Sequence, residues 1–140
     1  MKTYTLIAIV IVTLALLCYT VGTLAQQRSR RINGATLGFL TVGLVFDVVA
    51  TIFMILGSGK LISLHGVLGY SALAGMLAEV AIAWRWYLRN GGHPITDGMR
   101  RYAQLAYGYW VVAFISGGLL VGMTRRAARV AVSLTGVMLA

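Results

Sequence analysis

Charged residues are scarce in this chain. Only 11% of its 140 residues are Asp, Glu, Lys or Arg, whereas soluble domains carry about 25%. Acidic residues are the rarest of these, with three in total against twelve basic ones. The chain therefore lacks the polar surface that a water-soluble domain needs.

Cysteine and the common catalytic motifs are also scarce or missing. Cys18 is the single cysteine, which excludes an intrachain disulfide and a thiolate metal cluster. The sequence has no Ser-His-Asp set, no paired catalytic carboxylates, no phosphate-binding loop and no HExxH motif. Hydrolytic catalysis is therefore not expected, and the sequence does not predict an enzyme.

Long apolar runs make up most of the chain. The mean hydropathy is +0.86, and a run of about 20 apolar residues is enough to cross a bilayer as a helix. We therefore predict an all-α membrane protein: a four-helix transmembrane bundle within residues 1–124, with no room for a soluble domain. The helices are expected at about 4–24, 34–56, 61–84 and 102–122.

Residues 125–140 form a tail that is too short to span the membrane again. At helical spacing its apolar and polar residues fall on opposite faces, which predicts a short C-terminal amphipathic helix. The apolar face would carry Val130, Leu134, Val137 and Met138, and the polar face Arg126, Arg129 and Ser133.

The basic residues lie between the apolar runs rather than on one soluble face, which argues against nucleic-acid binding. Loops one and three hold seven of the twelve Lys and Arg residues. The positive-inside rule then predicts a multi-pass protein of the cell (inner) membrane with these loops in the cytoplasm and both termini outside. The lipid bilayer is the expected partner.

Three ionisable residues fall inside the predicted spans: Asp47 near the middle of helix two, and His65 and Glu79 on helix three. Such residues are costly in hydrocarbon and often mark function. Glu79 is expected near the opposite end of helix three from His65, within reach of Arg85. Asp47 is expected to face the bundle interior and bond a hydroxyl at its depth; the candidates are Thr13, Tyr70, Ser71, Tyr109 and Ser116.

His65 is the candidate metal ligand. His93 lies about 30 Å away, beyond the other end of helix three, so the two histidines cannot bind one haem within a chain. Met54 has the matching depth on helix two, and a His/Met pair is a known haem ligation. A second His65 in a homodimer, or five-coordinate haem, are the alternatives. Gly66 and Gly69 beside His65 leave room for close helix packing or for a flat ligand.

Two segments carry a family resemblance. They are Phe46-Asp47-Val48-Val49-Ala50-Thr51 with Met54, and Leu64-His65-Gly66-Val67-Leu68-Gly69-Tyr70 leading to Met76, Glu79 and Trp84. With these segments the chain resembles, over nearly its whole length, the HsmA-like family of small four-helix haem-binding (haem-sensing) membrane proteins. The resemblance implies haem binding in the membrane, and it points to His65 and Asp47.

The resulting functional hypothesis is a membrane protein that binds haem b through His65 for electron transfer, haem handling or redox protection. One alternative is a non-catalytic accessory subunit of a larger respiratory or photosynthetic membrane complex. A weaker alternative is a small proton-coupled transporter using Asp47 and Glu79. It is weaker because their expected depths differ by about 12 Å and because no internal repeat is evident.

Overall fold

The computed structural model describes residues 2–58 and 64–138 and consists of four α-helices. They are α1 (Lys2–Ser29), α2 (Gly34–Ser58), α3 (Leu64–Asn90) and α4 (Asp97–Met138). Within the described ranges no strand is formed, and the one bridge of β type joins Arg31 and Pro94 in two loops. The all-α, four-helix prediction is confirmed.

All four helices are long and apolar enough to cross a membrane. Large apolar side chains on each of them point outward, including Leu6, Val45, Leu77 and Leu105, all more than half exposed. In water such a surface would be costly, whereas lipid chains solvate it. The outer surface therefore fits a multi-pass protein in contact with lipid.

Local sequence signals explain where the helices begin and end. Arg30 follows α1 with a φ of 52°, and Gly91 follows α3 with a φ of 55°, the left-handed conformation that ends many helices. Asn33 caps α2, because its Oδ1 accepts a hydrogen bond from the amide three residues later at 2.8 Å. Thr96 caps α4 in the same way through its hydroxyl, at 3.3 Å.

Neighbouring helices close the bundle in the order α1, α2, α3, α4, and the α1–α2 packing is the most extensive. Two glycines permit it. A Cβ at Gly22 would lie 2.9 Å from the Leu40 side chain, and one at Gly43 would lie 2.9 Å from the backbone nitrogen of Tyr19. Small residues at these positions let the two backbones approach closely.

Loops one and three meet at the same end of the bundle, as the sequence predicted. The amide of Ile95 donates to the carbonyl oxygen of Arg30 at 2.9 Å, beside the Arg31–Pro94 bridge. Close by, the Nε of Arg100 donates to Oε1 of Gln27 at 2.9 Å. We call the end of the bundle where loops one and three meet the linked end. The α2–α3 connection between the predicted bounds at about 56 and 61 lies largely outside the described residues.

The helices are longer than the sequence predicted. The expected start of helix three at about 61 lies outside the described residues, but its end is at Asn90 rather than about 84. The largest difference is at the C-terminus, where α4 runs from Asp97 to Met138 without a break. Nothing between 123 and 135 interrupts a helix, since that segment contains neither Pro nor Gly. The tail at 125–138 therefore continues α4; most of its side chains lie outside the described set.

Candidate functional site

His65 lies in the first turn of α3, where it is half-buried against α4. Its Nδ1 is 3.1 Å from the Oγ of Ser116, and this Oγ donates its only proton to the carbonyl oxygen of Ala113 at 2.7 Å. Since a serine hydroxyl has one proton to give, the Nδ1 of His65 must be the donor to Ser116. In a neutral imidazole this leaves the lone pair on Nε2.

The other edge of the imidazole ring faces Gly117. A Cβ at that position would lie 2.7 Å from both Cε1 and Nε2 of His65, so only glycine is compatible with this ring position. Ser116 and Gly117 together fix the ring by one hydrogen bond and one close contact. The sequence analysis named neither residue as a determinant of the His65 position, because only the packing of α3 against α4 brings them to it.

Met54, Gly66 and Gly69, which were also predicted around His65, are not the residues that fix its ring. Met54 lies on α2 and is 36% exposed, whereas the contacts that fix His65 come from α4. Gly66 and Gly69 follow His65 on α3, and a Cβ at Gly69 would meet no atom within 4 Å. The structure therefore shows one positioned imidazole with open space one turn further along α3, and Met54 as its partner stays a prediction.

Asp47 faces the interior, as expected, but its partner is a residue that the sequence analysis did not name. Its Oδ2 accepts a hydrogen bond from the Nε1 of Trp110 on α4 at 3.0 Å, and the residue is only 6% exposed. Of the predicted hydroxyl partners, Thr13 donates to a carbonyl of its own helix, and Ser71 bonds the hydroxyl of Tyr109. Ser116 is hydrogen-bonded to His65.

Glu79 is also buried, with 3% of its surface exposed. The sequence analysis expected it near an interface beside Arg85; instead, its Oε2 accepts a hydrogen bond from the hydroxyl of Tyr19 on α1. Its other oxygen, Oε1, is buried without a protein partner. The difference follows from the length of α3, because the helix continues eleven residues beyond Glu79 and so places it about 16 Å from the linked end.

Tyr19, Asp47, Glu79 and Trp110 form one group, which we call the central layer. The rings of Tyr19 and Trp110 lie 5.8 Å apart, so the two hydrogen-bonded acids are joined through adjacent aromatic rings. Asp47 lies thirteen residues into α2, about 20 Å from the linked end, which is within a few ångströms of the depth of Glu79. The expected separation of about 12 Å was therefore too large.

The central layer ties together helices on opposite corners of the bundle, since Tyr19 on α1 reaches Glu79 on α3 and Trp110 on α4 reaches Asp47 on α2. Sequence reasoning missed Tyr19 and Trp110. A signal was available: both are aromatic residues with a polar atom, placed deep inside an apolar run, where such atoms need a partner. The sequence did not reveal that their partners were the two acids.

His93 lies exposed in loop three, where its Nδ1 donates to the carbonyl oxygen of Asn90. Within the part of the chain that the structure describes, no three His, Cys, Asp or Glu side chains form a group able to hold a metal ion. The chain matches no protein family model, no characterised protein and no solved structure.

Proposed function

We propose that this protein binds haem in the membrane, with His65 as an axial ligand. The observation that supports the proposal is the donor role of Nδ1. Because Ser116 accepts the Nδ1 proton, the lone pair of His65 is on Nε2. Metal-ligating histidines are commonly oriented in this way by a hydrogen bond to their second nitrogen. The resemblance of the segments around Asp47 and His65 to the HsmA-like family supports the same assignment.

His65 offers haem iron one axial nitrogen, Nε2. The ring edge with Nε2 lies against Gly117 of α4, and a Cβ at Gly69, one turn further along α3, would meet no atom within 4 Å. Met54, which is partly exposed on α2, is not shown to be a second ligand. We therefore favour five-coordinate haem, or haem held between the His65 residues of two chains. The bound haem would supply one-electron chemistry, suited to electron transfer, haem handling or redox protection.

Asp47 is proposed to lie outside this site. It sits eleven residues before the end of α2 that is nearer to His65, a distance of about 16 Å along the helix. Its Oδ2 is already bonded to Trp110. We assign Asp47 to the central layer, where it helps to hold α2 against α4.

The test is the absorption spectrum of the protein purified in mild detergent after reconstitution with haem, recorded oxidised and then reduced with dithionite. We expect a Soret band in the wild type and in His93→Ala, whose histidine lies in loop three, but not in His65→Ala. Sharp α and β bands after reduction would indicate a sixth ligand. An equal spectrum from His65→Ala and wild type would refute the assignment.

The length of α4 supports a second candidate, the accessory-subunit function. The span was predicted to end at about 122, and α4 continues to Met138, another sixteen residues or about 24 Å. A helix that extends this far beyond a bundle offers a surface to a partner. Native mass spectrometry from mild detergent distinguishes the candidates, since a stoichiometric partner supports the subunit and an isolated haem-containing monomer or dimer opposes it.

The proposed orientation places loops one and three in the cytoplasm, at a cell membrane. It is supported by seven of the twelve basic residues, which lie in or beside these loops. The contact between the two loops means that they share one side. A cysteine introduced at Gly92 can be labelled with an impermeant reagent in intact and in opened cells. The comparison tests on which side of the membrane loop three lies.

A further inference from the structure

Four buried side-chain oxygens in one half of the bundle have no protein hydrogen-bond partner. Each belongs to a residue that is at most 3% exposed. Buried polar groups are normally satisfied, because an unpaired one costs about 1–3 kcal/mol. Four such atoms in the same half of the bundle therefore need a common explanation. They are Oγ1 of Thr23, Oε1 of Gln26, Oγ1 of Thr36 and Oε1 of Glu79.

These residues follow one another from the linked end into the central layer. On α1, Thr23 and Gln26 come four and seven residues after Tyr19, spacings that place all three on one face of the helix. Gln26 lies three residues before the end of α1, and Thr36 is the third residue of α2. Glu79 completes the series, because it accepts the hydrogen bond of Tyr19. The series covers about 10 Å along α1.

We propose that Thr23, Gln26, Thr36 and Glu79 line a narrow hydrated path through which Glu79 exchanges protons with the linked end of the bundle. A buried water bonds two to four polar groups. A short file of waters would therefore satisfy all four oxygens and connect them. This site lies in the other half of the bundle from His65 and Ser116, so the proposal does not depend on haem binding.

Water suits this arrangement better than a metal ion does. A cation such as Na⁺ or Ca²⁺ gathers oxygens at about 2.3–2.6 Å around one point, whereas the residues from Thr36 to Glu79 are distributed over about 13 Å in depth. Ile32 in loop one is completely buried at the same end. A buried apolar side chain at that end leaves little polar surface for a solute larger than water.

Glu79 and Asp47 differ in whether an unpartnered oxygen belongs to the series. Oε1 of Glu79 is unpartnered and belongs to the series, while Asp47 lies deeper, behind its bond to Trp110. Besides Tyr19 on α1, which bonds Glu79, two tyrosines on α4 lie near the pair. Tyr102 donates to the carbonyl oxygen of Gly75 at 3.1 Å, and Tyr107 stacks on Tyr19 at 6.5 Å between ring centroids. The exchanging acid is therefore Glu79.

The step moves a proton and no electrons. The water nearest Glu79 gives a proton to Oε1 and takes one from the next water toward the linked end. One O–H bond forms for each one that breaks, and release reverses the sequence.

The test is water-edited solid-state NMR on the labelled full-length protein in liposomes, which times the transfer of magnetisation from water to each carbon. We expect transfer to the carboxyl carbon of Glu79 and to Gln26 to be several-fold faster than transfer to the carboxyl carbon of Asp47. Thr13, an exposed α1 residue bonded to its own helix, is the lipid-facing reference. Transfer of magnetisation from water to Glu79 that is as slow as transfer to Thr13 would overturn the proposal. This measurement uses the wild-type protein and needs no variant.

Two matched variants then test the route. Thr23→Val removes one lining hydroxyl and keeps the side-chain shape, so transfer to Glu79 should slow several-fold. Thr13→Val makes the same change on the same helix, away from the path, and should leave that transfer unchanged. Equal transfer in both variants would overturn the route through Thr23.

Discussion

The closest approach of α1 and α2 makes Gly43→Ala the sharpest test of the fold. A Cβ at position 43 would lie 2.9 Å from both the Cβ and the backbone nitrogen of Tyr19, and 3.1 Å from its Cα. Carbon contacts are ordinarily about 3.5–4.0 Å. Because the contacted atoms are backbone or attached directly to it, no change of rotamer relieves the overlap. Helix α1 would have to move outward by about 0.4–1 Å. Tyr19, which donates the hydrogen bond to Glu79 on α3, would move with it.

Gly38→Ala is the matched control, since a Cβ at position 38 meets no atom within 4 Å. Both substitutions remove a helical glycine, which by itself stabilises by about 0.5–1 kcal/mol. Overpacking costs about 1–3 kcal/mol. The shared gain cancels in the comparison, so Gly43→Ala should be less stable than Gly38→Ala by about 1–3 kcal/mol.

The measurement is reversible unfolding of each variant with dodecyl sulfate in mixed micelles, followed by circular dichroism. We expect the transition of Gly43→Ala at a lower detergent fraction, and that of Gly38→Ala at or above the wild-type value. Stabilities that agree within about 0.5 kcal/mol, the usual range for surface changes, would show that α1 and α2 do not pack as closely as described here.

Three further predictions follow from named contacts. Tyr19→Phe leaves both oxygens of Glu79 without a protein hydrogen-bond partner and should destabilise the bundle by about 1–3 kcal/mol; a double-mutant cycle with Glu79→Gln should be non-additive, and additivity would contradict the bond. Ser116→Ala frees the ring of His65 and should raise the haem dissociation rate; an unchanged rate would remove the orienting role. Arg31→Cys with Pro94→Cys, in a chain without other cysteines, should form an oxidative cross-link, because bridge partners lie within disulfide range; no cross-link would refute the contact of the two loops.

The helical architecture could be predicted from the sequence because it depends on local properties. Four apolar runs separated by basic loops predict four spans by length and composition alone. The ends were less predictable. The segment Arg85 to Asn90 is polar enough to be taken for a loop, yet it continues α3 as a helix. The tail after Leu120 is likewise joined to α4, since no residue in it ends a helix before Met138.

The candidate site was predictable only in part. Polar residues inside apolar runs stand out, so His65, Asp47 and Glu79 were named from the sequence. Their partners were not, because side chains far apart in the sequence meet only when the helices take their places around the bundle axis. Ser116 and Gly117 beside His65 are of this kind. So is Trp110 beside Asp47.

The sequence by itself determined that the chain is a four-helix membrane protein and which ionisable residues lie within it, because hydropathy is a property of each segment. The tertiary structure alone decided what those residues contact. Tyr19 meets Glu79 across the bundle because Gly22 and Gly43 let α1 approach α2 closely and turn that face inward. Helix rotation and depth follow from packing between segments, and no single segment contains that information.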